Sequence, residues 1–284
     1  MTARRFAVVG DPVSHSRSPA MHAAAYRALD LPHTYEALRA TASELPGIVD
    51  ALRTGRFDGL NVTVPHKERV LGLVDELDAS ARIVGAANTL VRSPEGRVRA
   101  YNTDAPALAA ELERMHGSLA QPAPWDMGRA LVLGSGGAAR AAVAACAKLG
   151  AREIMVRARA FDDASRRDRF VREAPAAITP QPWVASSASE GETIAVVQAT
   201  SAGMKGADPG TAVADVVGWG SLPAIAVAVD VVYAPRDTAF LRAARARGLC
   251  ADDGLGMLAR QGALAFELWL GVAAPFEIMR AALE

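Results

Sequence analysis

The sequence lacks the features that mark membrane-spanning, disulfide-stapled or nucleic-acid-binding proteins. It has two cysteines in 284 residues, which argues against a disulfide framework and fits a reduced environment. Its 31 basic residues balance 31 acidic ones, so net charge gives no reason to expect nucleic acid or an acidic membrane as a partner. The longest apolar runs, such as residues 224–232, fall far short of the roughly 20 residues that a membrane helix needs. We therefore expect a cytoplasmic protein with no nucleic-acid or membrane partner.

Lysine and asparagine are also scarce. The chain has three lysines, and its three asparagines, Asn61, Asn88 and Asn102, lie close together along the chain with Lys67 among them. A chain that avoids these residue types elsewhere and keeps them together is expected to use their chemistry, the alternative being chance clustering. No spacing among His15, His22 and His66 suggests a metal site.

The apolar pattern predicts an α/β protein. At roughly 150 residues per domain, the length indicates two domains. Predicted strands cover residues 5–9, 33–38, 59–64, 89–92, 97–101, 129–133, 153–156, 194–199 and 225–232. Predicted helices cover residues 18–29, 42–54, 67–74, 78–83, 104–116, 238–247, 256–271 and 275–283, with an alanine-rich helix ending at 149 and a polar loop at 186–192. Strand–helix alternation predicts a mostly parallel sheet in the N-terminal part, where 89–92 and 97–101 form a hairpin.

A glycine-rich loop connects the strand at 129–133 to the alanine-rich helix. Gly134 would permit a tight turn, Gly136 would let the backbone approach a pyrophosphate, and Ala139 would replace the third glycine of the G-x-G-x-x-G pattern. The residues predicted to hold a dinucleotide are Gly134, Ser135, Gly136, Gly137, Ala138 and Ala139. The alternative is a tight turn that binds nothing.

The residues after the second strand of this unit favour NADP over NAD. Arg157 and Arg159 occur there, and no acid appears before Asp162. An arginine accommodates a 2′-phosphate, whereas an acid would hold the ribose hydroxyl of NAD. Two alternatives stay open: the arginines are solvated surface groups, or Asp162 and Asp163 serve an NAD ribose.

Four polar clusters occur at the ends of predicted strands or at strand–helix turns. They read GDPVSHSRSPAMH at 10–22, NVTVPHKE at 61–68, GAANTL at 85–90 and NTD at 102–104. Open α/β sheets bind ligands at such positions. The hydroxyls, amides, amine and carboxylate of these clusters suit a polyhydroxy carboxylic acid.

These clusters, together with GSGGAAR, ATSAGM, VDVVYAPRDT and GMLARQGALAFELWLG, closely resemble the shikimate dehydrogenase family over nearly the whole chain. The resemblance implies a substrate-binding and catalytic domain at 1–104 plus 256–284, and a Rossmann NADP-binding domain at 105–255, with the active site in the cleft between them. The implied reaction is the reversible NADP-dependent reduction of 3-dehydroshikimate to shikimate, by a monomer or homodimer without a metal.

The resemblance also implies residue roles. Ser16 and Ser18 would bind the substrate carboxylate, and Lys67 and Asp104 would form the catalytic pair. The ring hydroxyls would be bound by Thr63, Asn88 and Gln261, supported by Asn61, with Tyr233 near the carboxylate or the nicotinamide. Thr200, Gly254 and Met257 would join the cofactor contacts. Simpler interpretations are an N-cap for Ser18 or Asp104, and a core position for Met257.

One departure from the family pattern bears on the cofactor. The family often has Asn-Arg-Thr after the second Rossmann strand, where this chain has Ala158, Arg159 and Ala160. We therefore expect NADP to be preferred, but less strongly than in relatives with the flanking Asn and Thr. Three rival functions are a quinate or quinate/shikimate dehydrogenase using NAD, a methyltransferase, and a non-catalytic module that binds shikimate or quinate.

Overall fold

The computed structural model describes residues 2–184, 190–204 and 206–284. The chain divides into two compact units, which we call the split unit (Met1–Ala107 with Gly256–Glu284) and the central unit (Leu108–Leu255). No helix among the described residues is long and apolar enough to cross a membrane. Residues 186–189 of the predicted polar loop lie outside the described residues.

The split unit contains a mixed six-stranded sheet. Its strands are β1 (Arg5–Gly10), β2 (Thr34–Arg39), β3 (Gly59–Val62), β4 (Glu76–Leu77), β5 (Thr89–Arg92) and β6 (Val98–Tyr101), in the order β2-β1-β3-β5-β6-β4. β1 is parallel to β2 and β3, and β4 is parallel to β6. β5 runs antiparallel to β3 and β6, so the predicted hairpin is confirmed.

The central unit contains a fully parallel sheet. Its strands are β7 (Arg129–Leu133), β8 (Glu153–Arg157), β9 (Thr179–Gln181), β10 (Thr193–Gln198), β11 (Val227–Asp230) and β12 (Cys250–Asp252), in the order β12-β11-β10-β7-β8-β9. This is the strand order of the doubly wound dinucleotide-binding fold. From β7 the chain adds β8 and β9 on one side and then β10 to β12 on the other, so the switch point lies between β7 and β10. The glycine-rich loop follows β7, at that switch point.

The helices follow the predicted pattern with several differences. They are α1 (Ser18–Ala28), α2 (Leu45–Arg53), α3 (Ala79–Val84), α4 (Asp104–Gly117), α5 (Gly137–Leu149), α6 (Ala164–Glu173), α7 (Thr211–Asp215), α8 (Ala239–Ala246), α9 (Leu255–Leu270) and α10 (Phe276–Ala281). The helical segment predicted at 67–74 is shorter in the structure, which has only a 3-10 helix there, Arg69–Gly72. α6 and α7 were not predicted. Asp163 begins α6 by accepting hydrogen bonds from the amides of Ser165 and Arg166.

Two cores of buried apolar side chains support the sheets. One packs α2 and α3 against the split unit's sheet around Leu60 and Leu90, and the other packs α7 and α8 against the central sheet around Val196 and Phe240. The opposite face of the split unit's sheet is aromatic. Phe6 stacks on Trp269 of α9 at 4.8 Å between ring centroids, and the Trp269 indole donates to the carbonyl of Leu90 at 2.9 Å.

Gly59 makes that aromatic packing possible. A Cβ at this position would lie 2.2 Å from Nε1 of Trp269, closer than any side chain can approach. The absence of a side chain at Gly59 therefore lets α9 lie directly on β3. This approach places Gln261, also on α9, within reach of the strand ends that carry the polar clusters.

Candidate active site

The loop after β1, which carries Ser16 and Ser18, lies against the NVTVPHKE segment at 61–68 in the split unit. A Cβ at Gly10 would lie 2.4 Å from Cγ2 of Thr63, and the amide of Asp11 donates to the carbonyl of Val64 at 2.9 Å. The amide of Ser18 donates to Oγ of Ser16 at 3.3 Å, which brings the two serines together. Glycine at position 10 thus allows the loop that carries the serines to close onto Thr63.

Ser18 does not act as the predicted N-cap. It is the first residue of α1, the N-cap position is Arg17, and no side chain caps that helix. Arg17 does not simply point into solvent, because its guanidinium donates to the carbonyl of Leu283. The cap interpretation of Ser18 is therefore wrong, and its buried side chain remains a candidate ligand.

Lys67 and Asp104 form a direct ion pair. Nζ of Lys67 lies 2.7 Å from Oδ2 of Asp104, and the side chains are 15% and 5% exposed. Asp104 is not the predicted cap of α4, because Oδ1 of Asn102 accepts the amide of Ala105 at 3.0 Å. The carboxylate of Asp104 is thus directed to the lysine. No group of three His, Cys, Asp or Glu residues with metal-binding geometry occurs among the described residues.

Asn88 is the hub of the buried polar network beside this pair. Its Nδ2 donates to Thr103 Oγ1 at 2.8 Å, to Asp104 Oδ1 at 2.9 Å and to Gln261 Oε1 at 3.1 Å. Its Oδ1 accepts the amide of Thr103 at 2.7 Å. The two amide hydrogens of Asn88 are shared among three acceptors. One of these acceptors can therefore turn to a ligand, and both hydrogens still keep a partner.

Asn61 supports the hub from β3. Its Nδ2 donates to the carbonyl of Asn88 at 3.0 Å and to Oγ1 of Thr89 at 3.1 Å, and its Oδ1 accepts the hydroxyl of Tyr35 at 2.7 Å. Thr89 and Thr103 were not singled out from the sequence, although both lie inside the GAANTL and NTD clusters. Tyr35 lies outside every cluster, and no local signal pointed to it.

The glycine-rich loop of the central unit leaves room beside its backbone. Gly134 has φ +119°, and a Cβ there would lie 2.9 Å from the carbonyl oxygen of Ala199. A Cβ at Gly136 would meet open space, and Ala139 is fully buried against the sheet. α5 begins without a side-chain cap and without an acid in its first turn. Its first N–H groups therefore suit an anionic ligand.

Arg157, the last residue of β8, and Arg159, which follows that strand, are in different environments. The side chain of Arg159 is 60% exposed, 3.4 Å from Asp208 and over the ring of Trp183. Arg157 is buried, forming an ion pair with the buried Glu190 at 3.1 Å and donating to the carbonyl of Val216. These contacts argue against the predicted contact of Arg157 with the cofactor, because a guanidinium already paired in the interior is not presented to a phosphate.

Asp230 forms hydrogen bonds to both ends of the loop that follows β11, at Val232 and at Thr238. Its Oδ2 accepts the hydroxyl of Thr238 at 2.6 Å, and its Oδ1 accepts the amide of Val232 at 2.9 Å. Burial raises the pKa of Asp230 to about 7, although these hydrogen bonds favour the ionised form. This loop carries Tyr233, which is half buried.

Of the remaining predicted cofactor contacts, Thr200 and Gly254 lie between regular elements and Met257 lies in the first turn of α9. Oγ1 of Thr200, just after β10, accepts the amide of Ala202 at 3.1 Å. A Cβ at Gly254 would lie 2.3 Å from the carbonyl oxygen of Val231, so only glycine fits there. Met257 is buried, as the core interpretation expected.

Comparison with known proteins identifies the family. Residues 8–90 match the family described as "Shikimate dehydrogenase substrate binding domain", and residues 254–284 match "Shikimate 5'-dehydrogenase C-terminal domain". A shikimate dehydrogenase (NADP(+)) of Methylobacterium radiotolerans is 43% identical over 273 residues, which cover 95% of this chain and 92% of the relative. The chain belongs to the shikimate dehydrogenase family.

Solved structures of shikimate dehydrogenases share the fold. Shikimate 5-dehydrogenase of Thermus thermophilus, solved in complex with NADP(H) and shikimate, has a TM-score of 0.82 and 38% identity, with 99% of this chain and 98% of that chain covered. The ligand-free 5-ketofructose reductase of a Gluconobacter strain gives 0.83 at 30% identity, covering 100% and 98%. The two-domain α/β fold expected of a shikimate dehydrogenase is confirmed.

Proposed function

We propose that the protein catalyses the reversible NADP-dependent reduction of 3-dehydroshikimate to shikimate. The observation that carries this proposal is the Lys67–Asp104 ion pair, held by Asn88 in the same unit that matches the substrate-binding family. A module that only binds shikimate would not need an ammonium and a carboxylate at 2.7 Å in a buried amide network. The names of the relatives also support NADP and shikimate.

The substrate would be held by groups of the split unit that follow β1 and β3, precede β5 or lie on α9. Ser16 and Ser18 would donate to its carboxylate, while Thr63, Asn88 and Gln261 would bind its ring hydroxyls. Asn61 would orient the carbonyl of Asn88, as its hydrogen bond to that carbonyl supports. Tyr233 would contact the substrate carboxylate or the nicotinamide.

Proton transfer would pass through Lys67. The ammonium donates a proton to the carbonyl oxygen as that oxygen gains negative charge, which leaves a neutral amine. In the reverse direction the neutral amine takes the proton from the hydroxyl and becomes the ammonium again. Asp104 keeps the ammonium oriented by accepting its hydrogen bond, and Asn88 keeps Asp104 in place by donating to its second oxygen. The ion pair would thus hold the proton donor in a fixed orientation beside the reacting carbon.

The residues of the central unit fit NADP. The uncapped start of α5 and the open space at Gly136 suit a pyrophosphate, and the exposed guanidinium of Arg159 suits a 2′-phosphate. Thr200, Gly254 and Met257 would complete the contacts. When bound, NADPH supplies the hydride. Asp163 caps α6, which argues against its use on an NAD ribose.

Steady-state assays test the proposal. Shikimate and quinate are each assayed with NADP and with NAD, and we expect shikimate with NADP to give the highest kcat/KM. Preference for quinate with NAD would instead establish the quinate dehydrogenase alternative. The cytoplasmic location and the monomeric or homodimeric state remain predictions from the sequence.

Lys67→Ala tests the catalytic pair. Losing general acid–base catalysis should lower kcat by about 10²- to 10⁴-fold, with a much smaller change in the KM for shikimate. Lys148→Ala is the matched control, because Lys148 is an exposed lysine near the end of α5 and should leave both constants unchanged. A Lys67→Ala enzyme with near-normal kcat would remove this residue from proton transfer.

A further inference from the structure

We infer that Tyr35 is a positioning residue for substrate recognition, acting through the amide of Asn61. This inference rests on the proposed function and extends it to a residue outside the polar clusters. The hydroxyl of Tyr35 donates to Oδ1 of Asn61 at 2.7 Å, from a different strand.

The sheet register brings these two residues together. β1 lies between β2 and β3, with Phe6 opposite Tyr35 and Val8 opposite Asn61. Residues in register across parallel strands share a face, and so do residues two apart along one strand. Tyr35 and Asn61 therefore lie on the same face of the sheet, and the length of the tyrosine side chain allows it to reach across β1.

The ring of Tyr35 is itself held in place. His22 of α1 stacks on it with ring centroids 4.2 Å apart and planes inclined by 6°. His22 is completely buried, neither ring nitrogen has a hydrogen-bond partner among the described residues, and burial lowers its pKa to about 3. It is therefore a neutral, flat packing surface near neutral pH, and it restricts the tyrosine ring without competing for its hydroxyl.

Tyr35 occupies the outer end of a continuous hydrogen-bond chain. The side chain of Asn61 donates to Oγ1 of Thr89, and that hydroxyl donates to Oδ1 of Asn88 at 3.3 Å. Nδ2 of Asn88 donates to Asp104, which also accepts from Lys67. Nδ2 of Asn61 points to two acceptors, the carbonyl of Asn88 and Oγ1 of Thr89, so Oδ1 of the same amide points to β2. A buried amide oxygen in this position needs a hydrogen-bond donor from β2. The Tyr35 hydroxyl supplies that donor and fixes the plane of the amide at its oxygen end.

Tyr35→Phe tests this inference because it removes the hydroxyl and keeps the stacked ring. Loss of one hydrogen bond should raise the KM for shikimate by roughly threefold to tenfold. The KM for NADP should change little, whereas the unfolding temperature should fall by a few degrees because Oδ1 of Asn61 loses its donor. Tyr26→Phe is the matched control, since the Tyr26 hydroxyl is buried without a hydrogen-bond partner among the described residues, and its removal should leave the kinetics unchanged.

A double-mutant cycle separates positioning from packing. Asn61→Ala should raise the KM for shikimate, and adding Tyr35→Phe to it should cause no further increase, because the hydroxyl acts through the missing amide. Independent, multiplying effects would overturn the inference. Equal behaviour of Tyr35→Phe and Tyr26→Phe would also overturn it, as would equal rises in the KM for shikimate and for NADP.

Failure of the proposed function is distinguishable from failure of this inference. A wild-type enzyme that does not oxidise shikimate would refute the function, and the role of Tyr35 in shikimate binding with it. An active wild type, together with Tyr35→Phe kinetics equal to those of the wild type, would refute the role of Tyr35 alone.

Discussion

Replacing Asp230 by Asn should remove one contribution to the pH dependence of the free energy of unfolding. Asp230 lies at the end of β11 with no exposed surface, and both carboxylate oxygens accept hydrogen bonds. Burial raises its pKa from 3.8 to about 7, with a further contribution from the negative charge of Asp253. Between about pH 4 and pH 7, the folded state therefore holds a proton at Asp230 that the unfolded chain has released.

The sign and size of the effect follow from this difference. When the folded-state pKa is the higher one, the stabilisation is complete below the unfolded pKa and is lost as pH rises through the folded pKa. The window is therefore about pH 4 to pH 7. Each pKa unit corresponds to about 1.4 kcal/mol, so the Asp230 contribution to the free energy of unfolding should fall by about 2 kcal/mol between pH 5 and pH 7.

Urea denaturation of the wild type and Asp230→Asn at pH 5, 6 and 7 measures this contribution. An asparagine does not titrate, so the difference in unfolding free energy should move in favour of the variant by about 2 kcal/mol across the series. Asp237→Asn is the control, because Asp237 is 59% exposed, and its difference from wild type should stay nearly constant. A constant difference for Asp230→Asn would mean that the hydrogen bonds from Thr238 and Val232 outweigh burial, which would refute the reasoning.

Two further predictions concern the proposed ligands. Arg159→Ala should raise the KM for NADP by about tenfold or more and leave NAD use nearly unchanged, because an arginine–phosphate pair is charge-assisted and roughly 1.4 kcal/mol is a factor of ten; equal losses with both cofactors would contradict this. Ser16→Ala or Ser18→Ala should each raise the KM for shikimate by roughly 10- to 150-fold, the value of a hydrogen bond to a charged group, without affecting a carboxamide analogue. Equal losses for the acid and the amide would show that the serines do not bind the carboxylate.

The sequence predicted strands best where an apolar run is central and bounded by glycine. The strand at 129–133 coincides with β7, which lies in the middle of its sheet. β4, β9 and β12 were not predicted because each is two or three residues long and lies at an edge of its sheet. Short polar edge strands have little apolar periodicity, so they depend on a neighbouring strand that local sequence does not reveal.

The limits were similar at the candidate site. Lys67 and Asp104 stood out by composition and family resemblance, but only the fold shows that they form an ion pair. Arg157 was predicted beside the cofactor from its position at the end of the second Rossmann strand. The sequence did not reveal its ion pair, because the partner, Glu190, is remote in sequence and lies beyond β9. Tyr35 could not be found at all, since its contact with Asn61 depends on the register of three strands.

The division of the split unit has a consequence for synthesis on the ribosome. Trp269, whose indole fills the space above Gly59, and Gln261, which completes the Asn88 network, both belong to the returning segment Gly256–Glu284. At about 5–20 residues per second, the ribosome needs roughly 7 to 30 s to translate from Ala107 to Gly256. During that interval β1 and β3 have been synthesised without the helix that covers them. The central unit, Leu108–Leu255, is continuous and needs no such wait. The Asn88 network is thus completed by a segment that is translated after both sheets.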